Sequence, residues 1–106
     1  MARYIQISTT APSKEEAEKI ASMLVGAKLA ACVQVIGPVI STYWWEGKIE
    51  TAQEWLCIIK SRTPLYREIQ AAIKKHHPYQ VPEILATPVL KGSRDYLTWV
   101  RNTTRT

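Results

Sequence analysis

Several residue types and patterns are scarce or absent in this chain of 106 residues, and each absence argues against certain classes of structure or function. It contains no phenylalanine, so four tryptophans and five tyrosines supply the aromatic bulk. Two cysteines are too few for a disulfide framework. No stretch approaches the roughly 18 apolar residues that a membrane-spanning helix needs, so we expect no membrane association. The first residues lead directly into an alternating apolar segment rather than a signal peptide, so we expect a cytoplasmic protein.

Motifs of the common enzyme classes are also missing. The sequence has no glycine-rich phosphate loop, no paired acidic motif and no nucleophile elbow. Cys32 and Cys57 lie in apolar segments, where the pKa of a thiol rises and its reactivity falls. The basic and aromatic strand of an RNA-recognition motif is absent, because residues 55–59 are typical of a core strand. We therefore expect neither catalysis nor nucleic-acid binding.

The net charge of +5 is a clear bias in the composition. A basic protein can have an anionic partner. Here the excess is spread along the chain, with Lys74 and Lys75 at a helix end and Arg101 and Arg105 near the tail. This distribution favours charge that keeps the protein in solution.

The periodicity of the apolar residues predicts the secondary structure. Residues 3–8 alternate as a strand does, and Ser13 with Glu16 forms a capping box before a helix with 3.6-residue spacing. The order is β-α-β-β-α-β plus a terminal helix, the ferredoxin-like α+β plan, in one domain of residues 1–106. The other predicted elements are strands at 31–45 and 49–61, a helix from 63 to 77, a strand at 83–89, a short helix capped by Ser93 and a frayed tail at 102–106.

The two central strands form a hairpin that is too long for the rest of the chain to cover. Each arm of about 14 residues spans roughly 45 Å, whereas a compact domain of this length is only roughly 33 Å across. In a monomer the outer half would be a large apolar patch with open strand edges, which monomers avoid. We therefore expect an oligomer in which each tip docks on a neighbour's sheet. The outer half carries Val39, Ile40, Tyr43, Trp44, Trp45 and Trp55.

Gly37-Pro38 interrupts the first arm and predicts a bulge or bend on an exposed edge strand. The alternative to an oligomer is that this bend folds the tip back over its own sheet. The hairpin also separates the cysteines. With the turn centred on Gly47, Cys57 lies opposite residue 37, roughly 16 Å from Cys32, whereas a disulfide needs Cα atoms within about 7 Å.

Six short motifs are spread in order along nearly the whole chain. They are Thr10-Ala11-Pro12, Leu29-Ala30-Ala31-Cys32-Val33, Tyr43-Trp44-Trp45-Glu46-Gly47-Lys48, Ile59-Lys60-Ser61, His76-His77-Pro78-Tyr79-Gln80-Val81-Pro82-Glu83 and Asp95-Tyr96-Leu97-Thr98-Trp99. Together they resemble the CutA family of divalent cation tolerance proteins. The resemblance implies a ferredoxin-like protomer in a cytoplasmic homotrimer, similar in build to the PII signalling proteins. It also implies an association with copper and other divalent metals, and no established catalysis.

His76 and His77 are the candidate metal ligands. Imidazole suits Cu(II) and Zn(II), and Pro78 takes His77 out of the helix, so the two rings can converge on one ion. The alternative is that one of the pair caps the helix end or packs against it. In some members of the family a cysteine just before Thr-Ala-Pro joins the copper site, and here that position is Thr9. We therefore expect weak binding of Cu(II) or another divalent cation, and no required cofactor.

A second candidate site is a cleft between subunits, where trimers of this build would hold a small ligand. Aromatic side chains in such a cleft can equally serve interface packing. The residues that could line it are Tyr43, Trp45, Lys60, Glu83 and Trp99.

Residues 60–62 lead into the helix start at Thr63, where free N–H groups could hold an anion. Capping by Thr63 accounts for the same residues and is the simpler interpretation.

Three functional hypotheses follow. The first is a non-enzymatic homotrimer associated with divalent-metal tolerance and weak cation binding. The second is a PII-like regulatory trimer that binds a small molecule or a small anion between its subunits. The third is a purely structural trimer that docks partners.

Overall fold

The computed structural model describes residues 3–106, so the first two residues of the predicted domain lie outside the described part. The element order confirms the predicted α+β plan and the short terminal helix. A 3-10 turn at Thr63–Leu65 leads into the second helix. The elements are β1 (Tyr4–Ala11), α1 (Lys14–Gly26), β2 (Cys32–Trp45), β3 (Lys48–Arg62), α2 (Tyr66–His76), β4 (Leu85–Pro88) and α3 (Arg94–Thr103).

The four strands form one antiparallel sheet in the order β2-β3-β1-β4. Side chains alternate across a strand, so one face of β1 is apolar and fully covered while the other faces away from the helices. The core lies between this covered face and the helices α1 and α2. It includes Ile5, Ile7 and Ala11 of β1, Cys57 and Ile59 of β3, Ala17, Ile20 and Leu24 of α1, and Ile69 and Ile73 of α2.

The helix boundaries follow the capping signals of the sequence. Ser13 is the N-cap of α1, and its side chain accepts a hydrogen bond of 3.1 Å from the Glu16 amide. Ser93 caps α3 in the same way, through the Tyr96 amide. Helix α2 ends at His76, because the next residue precedes proline and is extended.

The hairpin of β2 and β3 determines the shape of the molecule. Its arms contain 14 and 15 residues, and the molecule measures 44 Å along its longest axis against 25 and 23 Å across. Glu46 and Gly47 form the turn with positive φ angles of 49° and 78°. The register shifts between Ile36 and Val39, which confirms the predicted bulge at Gly37-Pro38 on an edge strand, and the peptide bond between these two residues is cis.

The outer part of the hairpin lies beyond the helices and is largely exposed. Trp44 and Ile49 face each other across the strands and are 70% and 63% exposed. The prediction that Trp55 belongs to this exposed part is wrong, because its ring is half-buried and packs against the core. The apolar tip is therefore shorter at its base than predicted. Its large exposed side chains are Ile40, Tyr43, Trp44, Trp45 and Ile49.

Two other details differ from the sequence-based expectation. Strand β4 covers only Leu85–Pro88 instead of 83–89, because the two preceding residues belong to the loop. Cys57 pairs with Val35 rather than residue 37, since the turn contains two residues and the bulge shifts the register. Cys32 pairs with Lys60, and both cysteines are free, so the predicted lack of a disulfide is confirmed.

The prediction that the tail frays is also wrong. Helix α3 runs to Thr103, and Thr104 is buried. The Arg105 amide donates to the Lys28 carbonyl at 2.9 Å, and its side chain donates to the Ala27 carbonyl at 2.9 Å. The tail is held because it supplies hydrogen-bond donors to the carbonyls that follow α1, which the helix itself leaves without partners.

Candidate functional site

The candidate site is a cavity of about 790 Å³ beside the outer hairpin, which we call the hairpin cavity. One wall is formed by β2 and β3, and the other by the loop that follows α2. It is lined by Thr10, Ser41, Thr42, Tyr43, Trp45, Glu54 and residues 78–83.

Strand alternation directs the hairpin residues into this cavity. Ser41, Tyr43 and Trp45 are two residues apart along β2 and therefore share one face. Glu54 lies on the same face, because it pairs with Val39 across the hairpin. Thr10 extends this face onto β1, since its neighbours Thr9 and Ala11 point into the core.

His77 anchors the loop to the sheet. Its side chain is buried, and Nε2 lies 2.6 Å from the Thr10 carbonyl oxygen. Its Nδ1 accepts a hydrogen bond of 3.0 Å from the Tyr79 amide. A carbonyl only accepts and an amide N–H only donates, so these partners assign the proton to Nε2 and a neutral ring. Both ring nitrogens are therefore engaged within the chain.

Tyr79 and Glu54 connect the loop to β3 at the wall of the cavity. The Tyr79 hydroxyl donates to Glu54 Oε2 over 2.6 Å, a length typical of a bond to a carboxylate. Burial raises the pKa of the Tyr79 phenol, and the hydrogen bond to Glu54 and the charge of that carboxylate raise it further. The ring of Tyr79 also packs against the His77 ring at a centroid distance of 4.7 Å.

The metal that the resemblance implies can be tested against the donors that are present. His76 is exposed, with Nδ1 3.0 Å from the Ala72 carbonyl, whereas His77 has no free ring nitrogen. Within residues 3–106 no group of three or more His, Cys, Asp or Glu side chains lies close enough to hold a metal ion. Thr9 is buried on the core face of β1. The donors of one chain therefore do not fit a specific copper or zinc centre, and binding at the histidine pair stays a prediction.

The structure brings three of the five predicted cleft residues together. Tyr43, Trp45 and Glu83 line the hairpin cavity. Lys60 instead lies beside α3, with Nζ 5.8 Å from the centroid of the Tyr96 ring. The Trp99 ring also contacts that of Tyr96, with centroids 5.5 Å apart. Neither Lys60 nor Trp99 lines the hairpin cavity.

Glu54 and Tyr79 are the site residues that we did not single out from the sequence. Glu54 carried a signal, because strand alternation places it on the same face as Leu56 and Ile58, where a carboxylate is out of place. Tyr79 had no such signal. Its role depends on a contact with a residue 25 positions away, which no local pattern reveals.

The cysteines take no part in the site. Cys57 is fully buried, and its Sγ lies 3.7 Å from the Ala17 carbonyl. Burial raises the pKa of this thiol to about 11. Because the thiolate is the reactive form, Cys57 is an inert core residue, as predicted.

The sheet order and the two helices on one face define a ferredoxin-like α+β protein. The family model of the CutA1 divalent ion tolerance protein matches residues 5–103. The chain therefore belongs to the CutA1 family. None of the helices among the described residues is long and apolar enough to cross a membrane.

Individual relatives agree with the family assignment. The chain is 45% identical over 97 residues to a divalent-cation tolerance protein CutA from Archaeoglobus fulgidus, covering 92% of this chain and 94% of the relative. It is 42% identical over 101 residues to a chloroplastic CutA 1 from Oryza sativa subsp. japonica, covering 95% of this chain but only 57% of that protein's length. A CutA1 crystal structure from the psychrotrophic bacterium Shewanella sp. SIB1 superposes with a TM-score of 0.96 at 39% identity, covering 99% and 98% of the two chains.

Proposed function

We propose that this protein acts in divalent-cation tolerance as a non-enzymatic homotrimer with weak metal contacts. The observation that carries the proposal is the apolar hairpin tip, which none of the described helices of its own chain covers. The proposed compartment is the cytoplasm, and two free cysteines fit a reducing environment.

The tip has the properties of an interface. Ile40, Trp44 and Ile49 alternate onto one face and are each more than 60% exposed. Monomeric proteins seldom leave an apolar patch of this kind on a long edge strand in water, because it promotes association. This exposed apolar face supports an assembly of more than one copy of the chain, and the resemblance to the family suggests the number three.

Native mass spectrometry at micromolar concentration tests the assembly. We expect a species of three times the 12.0 kDa of one chain. The double variant Trp44→Ser/Ile49→Ser should dissociate, whereas Val25→Ser should not, because Val25 is an exposed residue of α1 and does not belong to the hairpin tip. A well-folded wild-type monomer would contradict the proposal.

The metal contacts can be tested separately by calorimetry with Cu(II). If binding uses the exposed imidazole, His76→Ala should weaken it at least about tenfold. His77→Ala should instead lower stability, because it removes the link between Thr10 and Tyr79. Cu(II) binding by both variants at wild-type affinity would exclude the histidine pair as the site.

The hairpin cavity supports a second candidate function, the binding of a small regulatory molecule. Its volume of about 790 Å³ lies within the range of ligand sites, and it combines aromatic rings with a few polar groups. A thermal-shift screen of wild-type protein against charged and neutral metabolites tests this function. Ligands whose effect disappears in Trp45→Leu would bind in the cavity.

A further inference from the structure

The hairpin cavity is acidic although the protein is basic. The chain carries a net charge of +5. Within the described residues, the lining of the cavity includes two carboxylates, Glu54 and Glu83, and no lysine, arginine or histidine. The charge in the cavity is therefore opposite to that of the whole molecule, and an anionic ligand would meet repulsion there.

Of the two carboxylates, Glu54 has the greater need for a positively charged partner, because it is buried. Its side chain is only 6% exposed, and the part of the chain that the structure describes gives it one hydrogen bond, from Tyr79, and no ion pair. A buried carboxylate without a positive partner is costly, because a single neutral donor replaces little of its hydration. A cation in the adjoining cavity would supply the missing partner.

The aromatic lining indicates which kind of cation fits. Tyr43 and Trp45 are both partly exposed, and both residues line the cavity. Aromatic faces attract ammonium and guanidinium groups, and tryptophan does so best. A cavity of about 790 Å³ is also far larger than a bare metal ion needs. The combination of a buried carboxylate with two rings suits an organic cation better than a metal.

We propose that the hairpin cavity binds a small organic cation, with the ammonium or guanidinium group between Glu54 and the rings of Tyr43 and Trp45. The proposal rests on the second candidate function above and names its ligand class. Glu83, at the exposed part of the lining, adds a second negative charge that attracts the same ligands.

Calorimetry with matched probes tests the proposal. Choline and agmatine carry the two cationic groups, and 3,3-dimethylbutan-1-ol has the shape of choline without its charge. We expect at least one cation to bind, and choline to bind about tenfold or more tightly than its neutral analogue. Glu54→Gln keeps an acceptor for the Tyr79 hydroxyl and should weaken the binding of the cations about tenfold. Glu18→Gln, on the exposed face of α1, should leave their binding unchanged.

Absence of binding by both cations, equal binding of choline and its neutral analogue, or unchanged binding by Glu54→Gln would overturn the proposal. If an anion binds instead and Trp45→Leu abolishes its binding, the cavity is a ligand site but the inferred charge is wrong. Native mass spectrometry of the same samples reports the assembly, so failure of the trimer is recognised independently.

Discussion

The indole ring of Trp55 occupies the space that a side chain at position 37 would need. A Cβ added to Gly37 would lie 2.4 Å from Cδ1 of that ring and 2.6 Å from Cγ. The bulge at Gly37-Pro38 therefore lets β2 pass closely over Trp55 while this ring packs against the core. Position 37 requires glycine because of this close approach.

We expect Gly37→Ala to destabilise the protein by about 1–3 kcal/mol, the usual cost of forcing an added carbon into a packed site. The Trp55 ring or the bulge must shift, and both belong to the base of the hairpin. Chemical denaturation followed by tryptophan fluorescence at a fixed protein concentration measures the change.

Gly26→Ala is the matched control for this substitution. Gly26 is the last residue of α1, and a Cβ there would have no heavy atom within 4 Å. Alanine at this position should leave stability unchanged or increase it by at most about 1 kcal/mol, because it reduces the conformational freedom of the unfolded chain. Equal effects of the two substitutions would contradict the steric role of Trp55.

The bulge also shows how far the sequence could predict this fold. Glycine and proline within a β-rich run are a local signal, so the irregular edge strand was predicted correctly. The burial of Trp55 was not predicted correctly. Alternation predicts which face of the sheet a side chain takes, but not how far the helices extend over that face. In the same way, Tyr43, Trp45 and Glu83 were identified from motifs, whereas Tyr79 depends on a distant contact with Glu54.

Thr9 and Ser61 both have buried hydroxyls, but only that of Ser61 makes a hydrogen bond within the described residues. Within the described residues, Thr9 Oγ1 is buried and has no hydrogen-bond partner. We expect Thr9→Val to stabilise the protein by about 1 kcal/mol, because valine has the same shape and no polar atom to leave unpaired. The shift of the urea midpoint at constant slope measures this gain.

Ser61→Ala should change stability in the opposite direction and destabilise the protein. The Ser61 hydroxyl donates to the Leu29 carbonyl over 2.6 Å in the core, between β3 and the segment after α1. Its removal leaves a buried carbonyl without this donor and should cost about 1–2 kcal/mol. If Thr9→Val is destabilising while Ser61→Ala is neutral, the assignment of paired and unpaired hydroxyls is wrong.

Arg105 links the tail to the end of α1. Its guanidinium donates to the Ala27 carbonyl at 2.9 Å and contacts Glu68 at 2.8 Å. The last turn of α1 contains no basic residue, so Arg105 supplies the positive charge that a helix C-terminus favours. We expect Arg105→Ala to cost about 1 kcal/mol and to increase amide exchange at the end of α1.

Arg67→Ala serves as the comparison, because Arg67 is exposed in the first turn of α2 and is not at a helix C-terminus. It removes the same charge from the protein but should change stability by less than about 0.5 kcal/mol. A tail that exchanges freely in the wild type would show that Arg105 does not hold it.

Stability should decrease at alkaline pH because of the buried Cys57 thiol and the partly buried Tyr79 phenol. The pKa of Cys57 is raised from 9.0 to about 11 in the folded protein, and burial also raises that of the Tyr79 phenol. Above pH 9 the unfolded chain releases the thiol proton while the folded chain retains it, so the folded state binds more protons and unfolding becomes easier as pH rises. The contribution of Cys57 is fully present below pH 9 and is lost as the pH approaches 11.

Denaturation midpoints measured from pH 7 to 11 test this expectation. The rise of the Cys57 pKa from 9.0 to about 11 corresponds to a loss of about 2–3 kcal/mol in the free energy of unfolding. Cys57→Ala should be less stable at pH 7, because it leaves a small void in the core, but its stability should fall less steeply above pH 9. Parallel curves for Cys57→Ala and the wild type would show that the buried thiol does not cause the alkaline loss.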